Sequence, residues 1–161
     1  MTKRRFTNVA CHEAAHAVAF LSNGVEVTSV TLRPGRCWQI QGDVSGFEYA
    51  VGCLAGAAAE RHAGLPAGPS KLDTATAKTA LKAAMGDYAA EGWDWATDAA
   101  EALVADEWDG IAAVAEALQE RGELTGEEAK EIWIGERARA ARRGWAESRR
   151  RGPAPAVLDR R

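Results

Sequence analysis

Residues 9–21 read VACHEAAHAVAFL, and the chain is organised around the pentapeptide His12-Glu13-Ala14-Ala15-His16 at their centre. Histidines at i and i+4 fall on one face of an α-helix, a turn apart. Two imidazoles placed so can grip one metal ion, and the adjacent glutamate can work on a water bound to that metal. Apart from these three residues the stretch is entirely apolar, and a helix apolar all round is a buried helix. Burying two imidazoles and a carboxylate without partners costs on the order of several kcal/mol. A metal with its water satisfies all three at once. Core histidines that merely hydrogen-bond are the competing reading, and it leaves more polar groups to be matched. His12 and His16 are also two of only 3 histidines in the protein.

The bulk composition bounds the rest. A chain of 161 residues, 47% hydrophobic and 27% charged, is expected to form one soluble globular domain, with room for an appendage. No apolar run reaches the ~18 residues that a membrane span needs. The start, MTKRRF, looks like the basic region of a signal peptide, but the stretch after it carries His12, Glu13 and His16 and no cleavage site follows. The expectation is a cytoplasmic protein. Cys11, Cys37 and Cys53 are odd in number and widely spaced, so they form no disulfide framework and no CxxC knuckle. Each is expected to serve as a small buried hydrophobe. The net charge of −3 is uneven: residues 136–161 hold nine arginines against Glu136, Glu147 and Asp159, a net of +6, and the preceding 135 residues carry −9. Without aromatic interleaving, the basic end reads as a solvated helix and tail rather than a nucleic-acid surface.

Taken in order, a first helix is expected over Thr2 to Ser22, stopped by Asn23-Gly24. Residues 25–32, VEVTSVTL, are rich in β-branched residues and predict a strand. Its alternation slips by one between Val27 and Val30, which predicts a bulge. Pro34-Gly35 suits the centre of a type II turn, with a short return strand over Cys37 to Ile40 and a loop bracketed by Gly42 and Gly46. Ser45 or Gly46 opens a second helix that ends at Gly64 and carries small residues (Gly52, Ala55, Gly56, Ala59) suited to close helix packing. After the loop LPAGPS, residues 65–70, a third helix is expected to about Ala90, broken by Gly92. A fourth follows from about Asp94 to Arg121, with Gly110 as an internal divider and Gly122 as its end. Thr125-Gly-Glu-Glu128 is a capping box that starts the last helix. Gly152-Pro153-Ala-Pro155 stops it, and a disordered tail is expected beyond. The six tryptophans are expected in the core and between helices. The predicted fold is mainly α with a small β-hairpin, built around a buried HExxH helix. It divides into a domain around that helix, 1–134, and an Arg-rich C-terminal extension, 135–161.

A catalytic zinc usually takes three protein ligands and keeps its fourth position for water. The pentapeptide supplies two, and no third histidine follows at the short HExxHxxGxxH spacing. Cys37, Cys53, Glu60, His62, Asp73 and Asp87 are the remaining candidates. Chemistry favours a carboxylate at the head of a helix, brought over the site by a loop, and Asp73 after Gly68-Pro69 fits best. Its ordinary alternative is a dipole partner or cap near a helix start.

HEAAHA, a strand ending in VTLRPGR, LAGAAAE, an Asp heading an Ala-rich helix, and AEALQERGELTGEE over residues 115–128 follow one another in this chain. Together they resemble the peptidase domain of the FtsH-type ATP-dependent zinc proteases, over roughly residues 8–134. The resemblance implies that residues 1–134 are a zinc peptidase-like domain, that His12, His16 and Asp73 bind Zn2+ and that Glu13 is the general base. Glu60, in the matching Ala-Glu pair, gains no role and is expected to be an exposed helical carboxylate. The chain departs from the pattern in its shorter stretch Arg36 to Gly46, in Lys71-Leu72 before Asp73, and in having no GxxxxGK[ST] loop. The resemblance therefore covers the peptidase domain without the ATPase module, and no nucleotide is expected to bind.

The expected function is a zinc metalloendopeptidase acting on polypeptide, with the substrate paired in extended form along the strand at 25–32. Tyr49 and Tyr88 are the available tyrosines for a second oxyanion donor, and neither is better placed by its sequence than a packing residue. Two other classes stand beside the enzyme. One is a non-catalytic helical module that a metal stabilises. The other is a peptidase subunit, homo-oligomeric or partnered with a separate ATPase chain. Glu13 discriminates against the module, since a purely structural site has no use for a base beside the metal.

Overall fold

The computed structural model describes residues 6–40, 43–68 and 70–151. Among these residues α1 (Asn8–Ser22), β1 (Glu26–Leu32), β2 (Gly35–Ile40), α2 (Gly46–His62), α3 (Lys71–Met85), a 3-10 turn (Gly86–Tyr88), α4 (Ala89–Asp106), α5 (Trp108–Arg121), β3 (Glu123–Thr125) and α6 (Gly126–Arg151) follow in order. The fold is mainly helical with one small antiparallel sheet of order β2-β1-β3. The first helix starts six residues later than its apolar pattern suggests. Thr7 is its cap, with a hydroxyl that accepts from the Ala10 N–H at 3.3 Å, which excludes Phe6 from the helix. Residues 1–5 of that expectation lie outside the described residues.

The predicted bulge is present: the β1–β2 register shifts between Val27 and Ser29. The turn is not at Pro34-Gly35. Its two residues are Arg33 and Pro34, joined by a cis peptide bond, and Gly35 already pairs with Leu32. Gly35 serves a different purpose: a Cβ there would lie 2.7 Å from Val9 Cγ1 and 3.3 Å from Glu13 Oε1, so its absence lets β2 approach α1. The third strand was not foreseen. Glu123-Leu-Thr125 is too short to carry a pattern, yet it pairs with Ser29 to Thr31 and inserts Leu124 fully into the core. β1 is therefore the central strand, and over Ser29 to Thr31 its second edge, where a substrate was expected to pair, is taken by β3. The outer strands of the sheet are β2 and β3.

The helix breaks also differ from expectation. α3 ends at Gly86, whose φ of +57° suits glycine, not at Gly92. Gly92 lies buried inside α4 because Met85 and Leu81 occupy the space of its missing side chain. Glu107, not Gly110, divides the next segment, and Gly110 lies inside α5 against Trp133, with a Cβ position 2.6 Å from its ring. Gly122, at φ +82°, ends α5, and the Thr125–Glu128 capping box opens α6 as expected. α6 runs unbroken across the expected boundary at 134/135. The expected tail from 152 onward and Gly42 lie outside the described residues. Three of the six tryptophans are not core: Trp38, Trp95 and Trp145 are 50%, 54% and 63% exposed.

α2 is the hub, packed against α1, α3 and α4, while α5 and α6 cover the other side of α1 and the sheet. The α1–α2 seam is built from small residues. Gly52 and Gly56 recur at four-residue spacing and leave no room for side chains where the Phe20 and His12 rings lie. Among the described residues no helix is long and apolar enough to cross a membrane.

Candidate metal centre

α1 carries His12, Glu13 and His16 on a helix whose residues from Ala10 to Phe20 are buried almost throughout. Glu13 and His16 are themselves buried. Asp73 arrives from α3. Ser70 caps that helix through a bond from the Asp73 N–H at 3.3 Å, so the aspartate stands in the first turn with its carboxylate free of capping work. The loop before it is tied down by Asn8, whose side-chain amide donates to the Pro66 carbonyl at 3.0 Å. The result brings together three of the residues singled out from the sequence: one potential ligand atom each from His12, His16 and Asp73, all within 4.8 Å of one another. Of the other candidates, Cys37 and Cys53 line the same cleft, His62 stacks against Trp108 away from it, and Asp87 is exposed beside Lys82.

Hydrogen-bond partners assign the imidazole tautomers. His16 Nδ1 donates to the Gly52 carbonyl at 2.8 Å, and His12 Nδ1 faces Glu60 Oε1 at 3.2 Å. Both Nε2 atoms then face Asp73 Oδ2, at 3.1 Å from His12 and 3.4 Å from His16. In neutral imidazoles this aims two lone pairs at a carboxylate oxygen, an arrangement that only positive charge can stabilise. Ligand atoms ~2.05 Å from a tetrahedral centre lie about 3.3 Å apart, which matches these separations. The donor set therefore fits a divalent metal. Positive charge supplied as protons on the two Nε2 atoms acts in the same sense: burial opposes ionisation of Asp73, but N–H bonds from His12 and His16 then outweigh it and hold the carboxyl well below the usual range. Burial opposes charge on His16 as well, and Asp73 outweighs it so that its pKa rises.

Glu13 sits beside this cluster without belonging to it. Burial pushes its carboxyl above the ordinary carboxylate range, while the two histidines and a hydrogen bond from the backbone of Cys37 pull in the opposite direction. Burial likewise raises the Cys37 thiol and pushes Cys53 up to about 12, so neither is a thiolate at neutral pH. The cluster opens into a cleft of about 390 Å³ that is also lined by Phe20, Tyr49 and, from β2, residues Gly35 to Gln39. The Tyr49 hydroxyl accepts from Gln39 at 3.0 Å at this cleft, whereas Tyr88 is exposed on the 3-10 turn.

Glu60 corrects the expectation of an exposed helical carboxylate. It is 7% exposed, its Oε1 orients His12, and its Oε2 meets no partner among the described residues. It belongs to a line along α2: Gly52, Gly56 and Glu60 recur every four residues and run antiparallel to Phe20, His16 and His12. That line supplies, in turn, a carbonyl for His16, space for the His12 ring, and a carboxylate for its Nδ1. No model of a known protein family matches this chain, and no curated protein sequence matches it.

Proposed function

We propose that the protein is a zinc-dependent metalloendopeptidase in which His12, His16 and Asp73 hold the metal and Glu13 is the general base. The observation that carries this is the convergence of the two Nε2 atoms on Asp73 Oδ2 with a buried, separate carboxylate beside them. A purely structural metal site has no need of the latter. The donor set, two imidazoles and one carboxylate, suits zinc and leaves a position open. Bound there, zinc would supply Lewis-acid polarisation of a substrate carbonyl and lower the pKa of a coordinated water.

The chain's own residues account for the remaining chemistry. Glu13 takes a proton from the attacking water and delivers it to the leaving nitrogen. Glu60 and the Gly52 carbonyl fix the imidazole planes, which keeps both Nε2 lone pairs on one point. The edge of β2, which contributes Gly35 to Gln39 to the cleft, offers main-chain groups to an extended polypeptide. The resemblance to FtsH-type peptidase domains points the same way, over the same four residues. The test is casein cleavage and zinc content of the wild type beside Glu13→Gln. The variant is expected to keep about one zinc per chain and to lose at least 100-fold in cleavage rate. Unchanged cleavage in the variant would refute the assignment.

A further inference from the structure

Trp38 and Leu72 are large apolar side chains left 50% and 65% exposed. Scattered exposed hydrophobes need no explanation, but these two line the same cleft as His12, Glu13, His16 and Asp73. They come from β2 and α3, two elements that do not touch each other, so the cleft opens between them with α1 and α2 as its floor. His12, Glu13 and His16 lie on the floor, Asp73 comes from α3 beside Leu72, and Trp38 lines the cleft from β2. Arg36 lies over the Trp38 ring at 5.2 Å and braces the indole in its exposed position. Both residues fall in the two stretches where the chain departs from the FtsH-type pattern, so neither is part of the motifs that carry the resemblance.

We infer that Trp38 and Leu72 form a two-sided clamp that holds an extended polypeptide by its large apolar side chains. The inference takes its substrate class from the peptidase reading and adds the selectivity. A chain paired along the β2 edge bonds β2 through its backbone and turns alternate side chains to opposite faces, which brings one set toward the cleft that Trp38 and Leu72 line. The clamp therefore favours peptides whose side chains at those positions are large and apolar.

Binding and hydrolysis test this separately. Fluorescein-labelled unstructured peptides, one with Phe and Leu in its central segment and one with Ser in their place, are titrated against the Glu13→Gln protein. The apolar peptide is expected to bind at least about tenfold more tightly, a difference of ~1.4 kcal/mol. Trp38→Ala or Leu72→Ser on that background is expected to remove most of the preference. Both sites are exposed, so melting temperature and zinc content should match the parent. With Glu13 restored, the same two substitutions should raise KM for the apolar peptide more than they lower kcat. Equal binding of the two peptides, or a preference that survives both substitutions, overturns the clamp. Preferential binding with no hydrolysis by the wild type supports the clamp and refutes the peptidase, while hydrolysis without preference does the reverse.

Discussion

The α1–α2 seam and the α5–α6 seam are both helix contacts made close by a glycine, yet they hold different things. In the first, Gly56 admits the His12 ring, Gly52 lends its carbonyl to His16, and Glu60 meets the Nδ1 edge of His12. In the second, Gly110 admits the Trp133 ring, whose N–H donates to Glu107 at 2.7 Å. Around it, Arg137 pairs with Glu107 at 3.5 Å and Arg143 with Asp109 at 2.8 Å. The first seam positions buried polar groups, where an error of an ångström changes chemistry. The second packs an apolar ring and decorates it with solvent-facing charge, where the same error costs stability alone.

The largest expected break is Gly56→Val. A Cβ at that position lies 2.6–2.7 Å from three atoms of the His12 ring, so the imidazole must move. Zinc content should fall to background and cleavage with it, and calorimetry should show a loss of about 1–3 kcal/mol from overpacking. Glu60→Gln is the sharper probe of the same seam. It preserves shape but replaces the carboxylate that faces His12 Nδ1, and zinc affinity measured by chelator competition should fall about 10–100-fold. On the other seam, Gly110→Val should cost a similar ~1–3 kcal/mol by displacing Trp133, with zinc content intact. Loss of zinc in that variant would show that the two seams are coupled through α5 and α1. The smallest effect belongs to Arg143→Ala. Both members of its pair are about 60% exposed, at 59% and 62%, so denaturant midpoints should shift by well under ~1 kcal/mol.

Much of the metal centre was legible in the chain because each signal is local. The i, i+4 histidines need only helical geometry to meet. Their apolar surroundings announce a buried helix, and α1 is buried along nearly its whole length. Asp73 followed from the chemistry of a third ligand and from its place after a breaker-rich loop. The capping box at Thr125–Glu128 is a short-range pair, and it forms. Glu60 was misjudged because exposure is not a local property: a glutamate after three alanines on a helix looks solvated until the helix facing it is known. The helix breaks failed for a related reason. Gly92 and Gly110 are there to admit Met85 and Trp133, not to end helices, and only the partner side chain distinguishes the two uses.

Sequence alone therefore marked His12, His16 and Asp73 as a set that could hold a metal, put Glu13 beside the first of them, and placed the HExxH residues on a buried helix. Those properties depend on side-chain chemistry and on spacings of a few residues. Tertiary structure alone decided that Glu60 faces His12, that Leu124 adds a third strand and makes β1 the central one, and that Trp38 and Leu72 line one cleft from two elements. Each of these joins positions far apart in the chain, and which of them meet is set by how α1, α2, α3 and the sheet pack around a shared core.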